Sequence, residues 1–250
     1  MEDKEFKKEI AEYWNESSKE YDTHPGHGMG GDDEKQAWLK FLKEIIPEGT
    51  KKILDVGCGT GFLTVLLAEL GYTIKGVDLS EGMQADAKKK VKEGGFEDRV
   101  TFAIGDAEEL NEDSDTYDVV INRHLLWTLP HPYEAIDEWL RVTRPGGSVI
   151  VIDGDWSLGR QAREEREAKK EAEQDEESGH KRGYSKELEE ALPLHSGENR
   201  PWDFVKREGF DIEVVELTEV DELERHKYAD NEWMGREEYR RDAFIIKKPE

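Results

Sequence analysis

The sequence predicts an α/β fold in which a seven-stranded, mostly parallel sheet is covered by helices on both faces. Between residues 53 and 152, apolar runs alternate with segments of helical spacing. Strands that are almost wholly apolar and are separated by helices are typical of parallel sheets buried on both sides. Two later runs, 210–217 and 243–246, complete the seven strands.

The length of 250 residues suits one domain with an insertion and is short for two domains of ordinary size. We expect four parts within this domain. They are N-terminal helices with a lid loop (1–46), a ligand-binding core (47–155), a helical insertion after the fifth strand (156–208) and the last two strands (209–250). Because only 35% of the residues are hydrophobic and 38% are charged, the core must be concentrated in the apolar runs.

Composition also bears on partners and location. The net charge of −24 argues against nucleic acid as a partner, because binding of nucleic acid depends on clustered Lys and Arg.

Cys58 is the only cysteine, which excludes an internal disulfide and a multi-cysteine zinc site. No apolar run is long enough to span a membrane, and the N-terminus is charged from its second residue. We therefore expect a cytoplasmic protein with neither a signal peptide nor a membrane partner.

The N-terminal part predicts two helices joined by a loop. Residues 3–22 and 33–46 carry apolar side chains at helical spacing. The stretch between them, 23–31, contains a proline and several glycines, and we interpret it as a flexible lid. His24 and His27 lie in this stretch, but two histidines without a third nearby ligand make a poor metal site, so we predict no metal.

The turn after the first strand is the most informative stretch. An apolar run ending at Val56 leads into Gly57, Gly59 and Gly61, and a buried helix follows from Leu63. Glycine permits positive φ angles and lets a ligand approach the main chain. The first amides of a helix also lack intrahelical partners. This strand, turn and helix predict a site for a nucleotide-like ligand.

Polar residues end the next strands as well. Asp78 follows the second strand about 20 residues beyond the glycines, where doubly wound folds bind ribose hydroxyls. Asp106 follows the third strand, and the fourth strand ends at Asn122, Arg123 and His124. Because ligands of parallel sheets bind beyond the carboxyl ends of the strands, these tips are expected to converge on one site.

The remaining segments are patterned more weakly. Residues 132–142 and 201–208 predict helices, and Pro145 to Gly147 predict a turn before the fifth strand. The segment 159–177 is almost wholly charged, and we interpret it as an exposed and partly disordered helix. A short apolar segment, 188–194, is expected to contact the body of the domain.

Five ordered motifs run through the core. They are Asp55-Val56-Gly57-Cys58-Gly59-Thr60-Gly61, Val77-Asp78-Leu79-Ser80 with Met83, Gly105-Asp106-Ala107, Asp118-Val119-Val120 and Arg144-Pro145-Gly146-Gly147. This set resembles the class I S-adenosylmethionine-dependent methyltransferases, and is similar to the small-molecule branch that includes ubiquinone and menaquinone biosynthesis methyltransferases. The resemblance implies a Rossmann-like fold, S-adenosyl-L-methionine as cofactor, and methylation of a small-molecule acceptor.

The resemblance also assigns residues to the cofactor. The implied set is Asp55, Gly57, Gly59, Gly61, Asp78, Leu79, Met83, Asp106, Ala107, Asn122 and Arg123, with Trp14 and Tyr21 from the N-terminal lid. The glycines would lie by the methionine and ribose portion, and Asp78 would bind the ribose hydroxyls. Leu79 and Met83 would flank the adenine, while Asn122 and Arg123 would lie near the sulfonium.

Catalysis and acceptor binding draw on a second group of residues. A general base is needed only if the acceptor must lose a proton, and His124 is the first candidate for it. His24, His27, Trp127 and Trp156 are candidates for the acceptor pocket, and the two histidines are the next candidates for the base. Each of these residues is also compatible with a purely structural role. The sequence specifies neither the acceptor nor the oligomeric state.

Two other functions remain open. A nicotinamide-dependent oxidoreductase is disfavoured, because the third glycine follows the second by two residues, whereas the dinucleotide fingerprint is G-x-G-x-x-G. A non-catalytic protein that binds S-adenosylmethionine, with the acidic insertion as an interaction surface, fits the same motifs.

Overall fold

The computed structural model describes residues 3–155, 184–195, 199–231 and 234–250. The helices in these ranges are α1 Asp3–Tyr21, α2 Asp32–Ile45, α3 Phe62–Glu69, α4 Glu81–Gly94, α5 Pro132–Val142, α6 Lys186–Ala191, α7 Pro201–Val205 and α8 Thr218–Lys227. The strands are β1 Lys52–Val56, β2 Thr73–Asp78, β3 Val100–Ile104, β4 Tyr117–Arg123, β5 Thr143–Gly154, β6 Asp211–Glu216 and β7 Arg241–Lys247. A short 3₁₀ turn, Leu126–Thr128, follows β4.

All seven strands form one sheet, in the order β3-β2-β1-β4-β5-β7-β6. The first five strands are parallel, and β7 runs antiparallel to both β5 and β6. The predicted fold class is therefore confirmed. The chain winds outward in one direction from β1 to β3 and then in the other from β4. This reversal places a crevice at the carboxyl ends of β1 and β4, where doubly wound folds bind their ligands.

The core has two halves, one on each face of the sheet. Ile53 of β1 packs with Trp38 of α2 on one face, and Leu54 packs with Trp139 of α5 on the other. All four side chains are fully buried. Burying a side chain of this kind contributes about 1.5–3 kcal/mol relative to leaving it exposed. These packed faces hold the strand ends in fixed positions, and hence the site.

The segment before β5 differs from the prediction of a turn. The strand begins at Thr143 and includes Pro145 to Gly147, with a register shift against β4. Gly146 has φ 71°, and a Cβ on Gly147 would lie 2.6 Å from the carbonyl oxygen of Asp118. The two glycines therefore allow an irregular strand to pass close to β4.

Helix α8 was not predicted, and α7 ends at Val205 instead of residue 208. The buried face of α8 carries Asp221 and Glu224, which pair with the fully buried guanidinium of Arg241 at 2.7 and 2.9 Å. Charged residues on a buried face conceal the apolar period of a helix.

The apolar segment 188–194 contacts the body as expected. Leu188 and Leu192 pack against Ile10 of α1, and Leu194 joins the core on the Trp139 face. The segment 159–177 lies outside the described residues. Among the helices of the described ranges, none is long and apolar enough to cross a membrane.

Candidate cofactor and acceptor site

A cavity lies beneath α1 at the carboxyl ends of the parallel strands. Its empty volume is about 670 Å³, which includes the solvent at its open mouth. The lining residues are Lys7, Ile10, Trp14, Tyr21, Gly57, Gly59, Asp78, Leu79, Met83, Gly105, Ala107, Arg123, His124, Leu125, Thr128 and Leu129. The strand tips that the sequence predicted to converge are thus brought together, and most of the expected cofactor residues form the wall.

The three glycines of the turn after β1 have different surroundings. Gly57, Gly59 and Gly61 all have positive φ, at 65°, 53° and 81°. A Cβ on Gly57 would lie 2.6 Å from Leu125, and one on Gly61 would lie 2.9 Å from Ala87 of α4. A Cβ on Gly59 would meet no atom closer than 4.0 Å. Gly59 therefore leaves room on the cavity side, whereas Gly61 allows α3 and α4 to pack closely.

Asp78 is held by backbone amides at the edge of the cavity. Its Oδ2 accepts a hydrogen bond from Gly59 N and its Oδ1 accepts one from Ser80 N, both at 2.8 Å. Burial raises the pKa of the Asp78 carboxyl, and the two N–H donors oppose that rise. The carboxyl group is thus fixed beside the glycine turn, as a ribose-binding acid would be.

Asp55 lies deeper, in a smaller adjoining cavity that Gly57, Tyr21 and Arg123 also line. The Thr64 hydroxyl of α3 donates a 2.5 Å hydrogen bond to Asp55 Oδ2. Burial raises the pKa of Asp55 to about 7, and the Thr64 hydrogen bond works against that rise. The carboxyl group therefore links β1 to α3 and lies next to the end of the cavity where the methionine portion is expected.

The tip of β3 contributes Gly105 and Ala107 to the wall. Asp106 between them accepts hydrogen bonds from Lys7 Nζ at 3.1 Å and from Glu108 N at 2.9 Å. Lys7 also pairs with the Glu108 carboxylate. The Asp106 carboxylate, expected to bind the cofactor, thus contacts α1. Lys7 is a wall residue that the sequence did not predict.

Helix α1 covers the cavity and is attached at both ends. Asn15 Oδ1 accepts from Ser80 Oγ at 2.8 Å and from Gly82 N at 2.9 Å, so α1 helps to cap α4. Just after α1, Asp22 accepts from the Thr60 hydroxyl at 2.6 Å. Trp14 and Tyr21, which the resemblance assigns to the lid over the cofactor, both line the cavity.

Arg123 connects the tip of β4 to the loop between α1 and α2. Its guanidinium donates to the carbonyl oxygens of Gly26 and His27, each at 3.0 Å, and lies 3.8 Å from the centre of the Phe62 ring. Burial lowers the pKa of Arg123. Within the described ranges no carboxylate forms an ion pair with it. The loop interpreted as a flexible lid is thus attached to the sheet. The guanidinium of Arg123 is also a buried positive charge in the cavity wall.

Asn122 does not face the cavity. Its side chain is fully buried, and neither polar atom of the amide has a hydrogen-bond partner among the described residues.

The candidate histidines differ in burial. His124 lines the cavity, is 8% exposed and has φ 57°; burial lowers its pKa well below the usual value. The His27 ring lies 6.3 Å from that of His124 and 4.6 Å from that of Tyr21. His24 is exposed, with its Nδ1 2.8 Å from the carbonyl oxygen of Glu20. The structure therefore places His124 in the cavity wall, while the His27 ring contacts those of Tyr21 and His124 and is not part of that wall.

Aromatic rings extend from the cavity towards α6. Trp127 lies 5.7 Å from Trp14 and stacks on His195 at 5.6 Å, and Tyr184 lies 6.0 Å from His195. Neither His195 nor Tyr184 belongs to a sequence motif, so only the fold reveals them. Trp156, the other predicted pocket tryptophan, lies outside the described residues.

One group of metal-ligand type occurs in the described ranges. Ligand atoms of Asp3, Glu108 and His131 lie within 4.8 Å of one another near the start of α1. His131 Nε2 is 3.1 Å from Asp3, and the His131 amide and Lys7 both donate to Glu108. These contacts account for the group as an attachment of α1 to the body.

The doubly wound sheet, the glycine turn and the carboxyl group fixed beside it define a protein that binds an adenosine-type cofactor at its strand tips. The family model described as a methyltransferase domain matches residues 54–151, the segment that supplies most of this site. This segment of the chain is therefore similar to the methyltransferase domain, whose cofactor is S-adenosylmethionine.

Curated relatives agree with this assignment. The chain is 39% identical over 111 residues to demethylmenaquinone methyltransferase of Bacillus subtilis, covering 43% of this chain and 47% of the relative. It is 31% identical over 147 residues to the enzyme of the same name from Clavibacter sepedonicus, covering 58% of each. The matched segment thus spans about half the length of these relatives.

A solved structure supports the fold over a longer range. Phosphoethanolamine N-methyltransferase 2 of Haemonchus contortus, in complex with phosphomonomethylethanolamine and S-adenosylhomocysteine, has a TM-score of 0.63 at 20% identity. The similarity covers 96% of this chain and 60% of that one. At this identity the likeness bears on the fold alone.

Proposed function

We propose that this protein binds S-adenosylmethionine in the cavity beneath α1 and transfers its methyl group to a small-molecule acceptor by in-line displacement. The observation that carries the proposal is the Asp78 carboxyl group, fixed by two backbone amides beside the open side of Gly59. A ribose diol needs such an acceptor, and the missing Cβ leaves space for the ligand.

The other wall residues fit the remaining parts of the cofactor. Leu79, Met83 and Ala107 form an apolar wall suited to adenine. The buried Arg123 guanidinium, which has no carboxylate partner within the described ranges, suits the methionine carboxylate, because carboxylates are the natural partners of buried arginines. Asp55, with its raised pKa, suits the methionine ammonium, whose charge would favour the ionised carboxylate.

The protein's part in the reaction is to align the reactants and exclude water. S-adenosylmethionine supplies a methyl group on a positively charged sulfur, which is already a reactive electrophile. Helix α1 closes the cavity, and the Trp14 and Tyr21 rings offer faces that attract a cation. Holding two reactants at attack distance is worth about 7–11 kcal/mol of the barrier.

Relatives with the same core methylate different acceptors, as the names demethylmenaquinone methyltransferase and phosphoethanolamine N-methyltransferase state. The family match at residues 54–151 includes neither α1 nor the segment after β5. We propose that these flanking parts select the acceptor in this protein, and that the acceptor is a small molecule.

Turnover tests this proposal against the two alternatives. The protein is incubated with S-adenosylmethionine and fractionated small metabolites, and S-adenosylhomocysteine is measured by mass spectrometry. We expect release of S-adenosylhomocysteine that depends on at least one fraction. Tight binding of S-adenosylmethionine without turnover in any fraction would favour a non-catalytic binding protein. Binding of a nicotinamide dinucleotide instead would favour an oxidoreductase.

A further inference from the structure

Lys7 is a charged residue of the cavity wall to which the proposed function gives no role. It belongs to α1 and lies outside residues 54–151, the segment that matches the methyltransferase domain. The charged side chains among the described wall residues are Lys7, Asp78 and Arg123. Asp78 is assigned to the ribose and Arg123 to the methionine carboxylate. The base is the remaining polar part of the cofactor, and Lys7 is the charged group left to meet it.

Lys7 lies at the end of the cavity where the base is expected. Lys7 and Ile10 are one turn apart on the same face of α1, and both line the cavity. Ile10 belongs to a small apolar cluster against which Leu79 packs. Ala107, which follows the Asp106 partner of Lys7 in the chain, is also a wall residue. Lys7 therefore shares this end of the cavity with Leu79 and Ala107, two of the residues suited to adenine.

Two carboxylates hold the Lys7 ammonium in place. Its Nζ donates to Asp106 Oδ1 at 3.1 Å and to the Glu108 carboxylate. The Asp106 carboxylate is fixed in turn, since its Oδ1 accepts from Glu108 N at 2.9 Å. The Lys7 side chain is 11% exposed. A free lysine side chain loses much conformational entropy when a ligand fixes it, whereas Lys7 is already fixed before a ligand binds.

The ammonium of Lys7 has one donor more than these two carboxylates use. A lysine ammonium carries three N–H donors and no acceptor. Within the described ranges, Asp106 and Glu108 are the hydrogen-bond partners of Lys7 Nζ, so one N–H remains for a ligand. Adenine offers its ring nitrogens N1, N3 and N7 as acceptors, whereas its 6-amino group donates. The remaining N–H of Lys7 therefore suits a ring nitrogen of the base, and a bond from a charged donor is stronger than one between neutral groups.

We propose that Lys7 determines selectivity for the base of the cofactor by donating its remaining N–H to one ring nitrogen of adenine. This proposal rests on the proposed function. Helix α1 then takes part in recognising the cofactor as well as covering it. A base with a C–H in place of that nitrogen leaves the N–H in the wall without an acceptor, which weakens binding.

Analogues of the product cofactor test this contact and need no methyl acceptor. Dissociation constants are measured by calorimetry for S-adenosylhomocysteine and for its 1-deaza, 3-deaza and 7-deaza analogues, with wild type and with Lys7→Met. Methionine keeps an unbranched side chain and has no N–H donor. Lys7→Met should weaken binding of S-adenosylhomocysteine by about 10- to 100-fold, the size of a hydrogen bond to a charged group. One of the three analogues should bind wild type more weakly by a similar factor and lose nothing further in Lys7→Met.

The same measurements separate recognition of the base from attachment of α1. Equal losses on all four ligands in Lys7→Met would show that Lys7 only fastens α1 to the body, and would overturn the proposal. Unchanged affinities in Lys7→Met would refute it as well. If Lys7→Met fails to fold, the wild-type values still decide, because three analogues that bind as tightly as S-adenosylhomocysteine would exclude the contact. Lys4→Met, at an exposed lysine of α1, is the matched control and should bind all four ligands as wild type does. Failure of S-adenosylhomocysteine to bind wild type would instead contradict the proposed function.

Discussion

At the scale of single residues, two buried carboxyl groups, those of Asp78 and Asp55, are the main acidic groups of the site. Asp78 is the last residue of β2 and Asp55 the last but one of the neighbouring β1, and burial raises the pKa of both. Asp78 is held by backbone amides, whereas Asp55 is held by the Thr64 hydroxyl. In the proposed function, Asp78 binds the neutral ribose hydroxyls, and Asp55 lies beside the positively charged methionine ammonium.

Asp78→Asn should weaken binding of S-adenosylmethionine by about 10- to 100-fold, because the amide has one acceptor oxygen where the carboxylate has two. We expect only a small change in the melting temperature of the free protein, since the asparagine oxygen can keep one backbone hydrogen bond. Calorimetric titration and thermal unfolding measure the two effects. The exposed Asp98→Asn is the matched control. Wild-type affinity in Asp78→Asn would show that Asp78 is not at the ribose.

Asp55 should make the free protein less stable as the pH rises towards 7. The pKa of Asp55 is about 7 in the folded protein and 3.8 for an ordinary aspartate, so the folded state holds the proton in a range where the unfolded state has lost it. Stability then falls with rising pH across that window. Asp55→Asn keeps the acceptor for Thr64 and removes the titration. The difference in unfolding free energy between variant and wild type should therefore favour the variant more at pH 7 than at pH 5, and an equal difference at both would contradict the shift.

At the scale of elements, the sequence predicted those whose pattern follows from burial alone. All seven strands and the helices α1, α2, α3 and α5 were found at or near their expected positions, because their apolar residues repeat at the strand or helix period. Helix α8 was missed because Asp221 and Glu224 occupy its buried face. The attachment of the lid loop by Arg123 was also missed, since a contact over 97 residues leaves no local pattern.

Arg241→Ala should be among the most destabilising single changes, costing about 3–5 kcal/mol of unfolding free energy, because it leaves Asp221 and Glu224 buried without their cation. Urea unfolding measures the loss. Replacing the two acids by Asn and Gln in the Arg241→Ala background should recover part of it. A loss below about 1 kcal/mol, the scale of an exposed ion pair, would mean that the pair is open to solvent.

Asn15→Ala should loosen α1, since the Asn15 side chain accepts from both Ser80 and Gly82 at the start of α4. Capping hydrogen bonds of this kind are worth about 1 kcal/mol. We expect faster cleavage between residues 22 and 31 by a non-specific protease, and protection of the same bonds in wild type by S-adenosylhomocysteine. Asn111→Ala, an exposed loop change, is the control. Equal cutting with and without the ligand would contradict a lid that closes over the cofactor.

At the scale of the whole molecule, the cofactor half and the acceptor half of the site differ in how far the sequence could predict them. The cofactor half comes from strand tips whose spacing is fixed by the sheet, so Gly59, Asp78 and Ala107 could be placed before the fold was known. The aromatic residues that extend from the cavity, where we propose the acceptor binds, come from parts that are far apart in the chain, such as Trp127 and His195. Their meeting depends on packing between segments, which no local motif encodes.

The most direct test of the central claim is calorimetric titration of the free protein with S-adenosylmethionine and, separately, with S-adenosylhomocysteine. We predict saturable one-site binding of both with dissociation constants in the micromolar range, corresponding to about 8 kcal/mol. No binding of either ligand, together with saturable binding of a nicotinamide dinucleotide, would contradict the account.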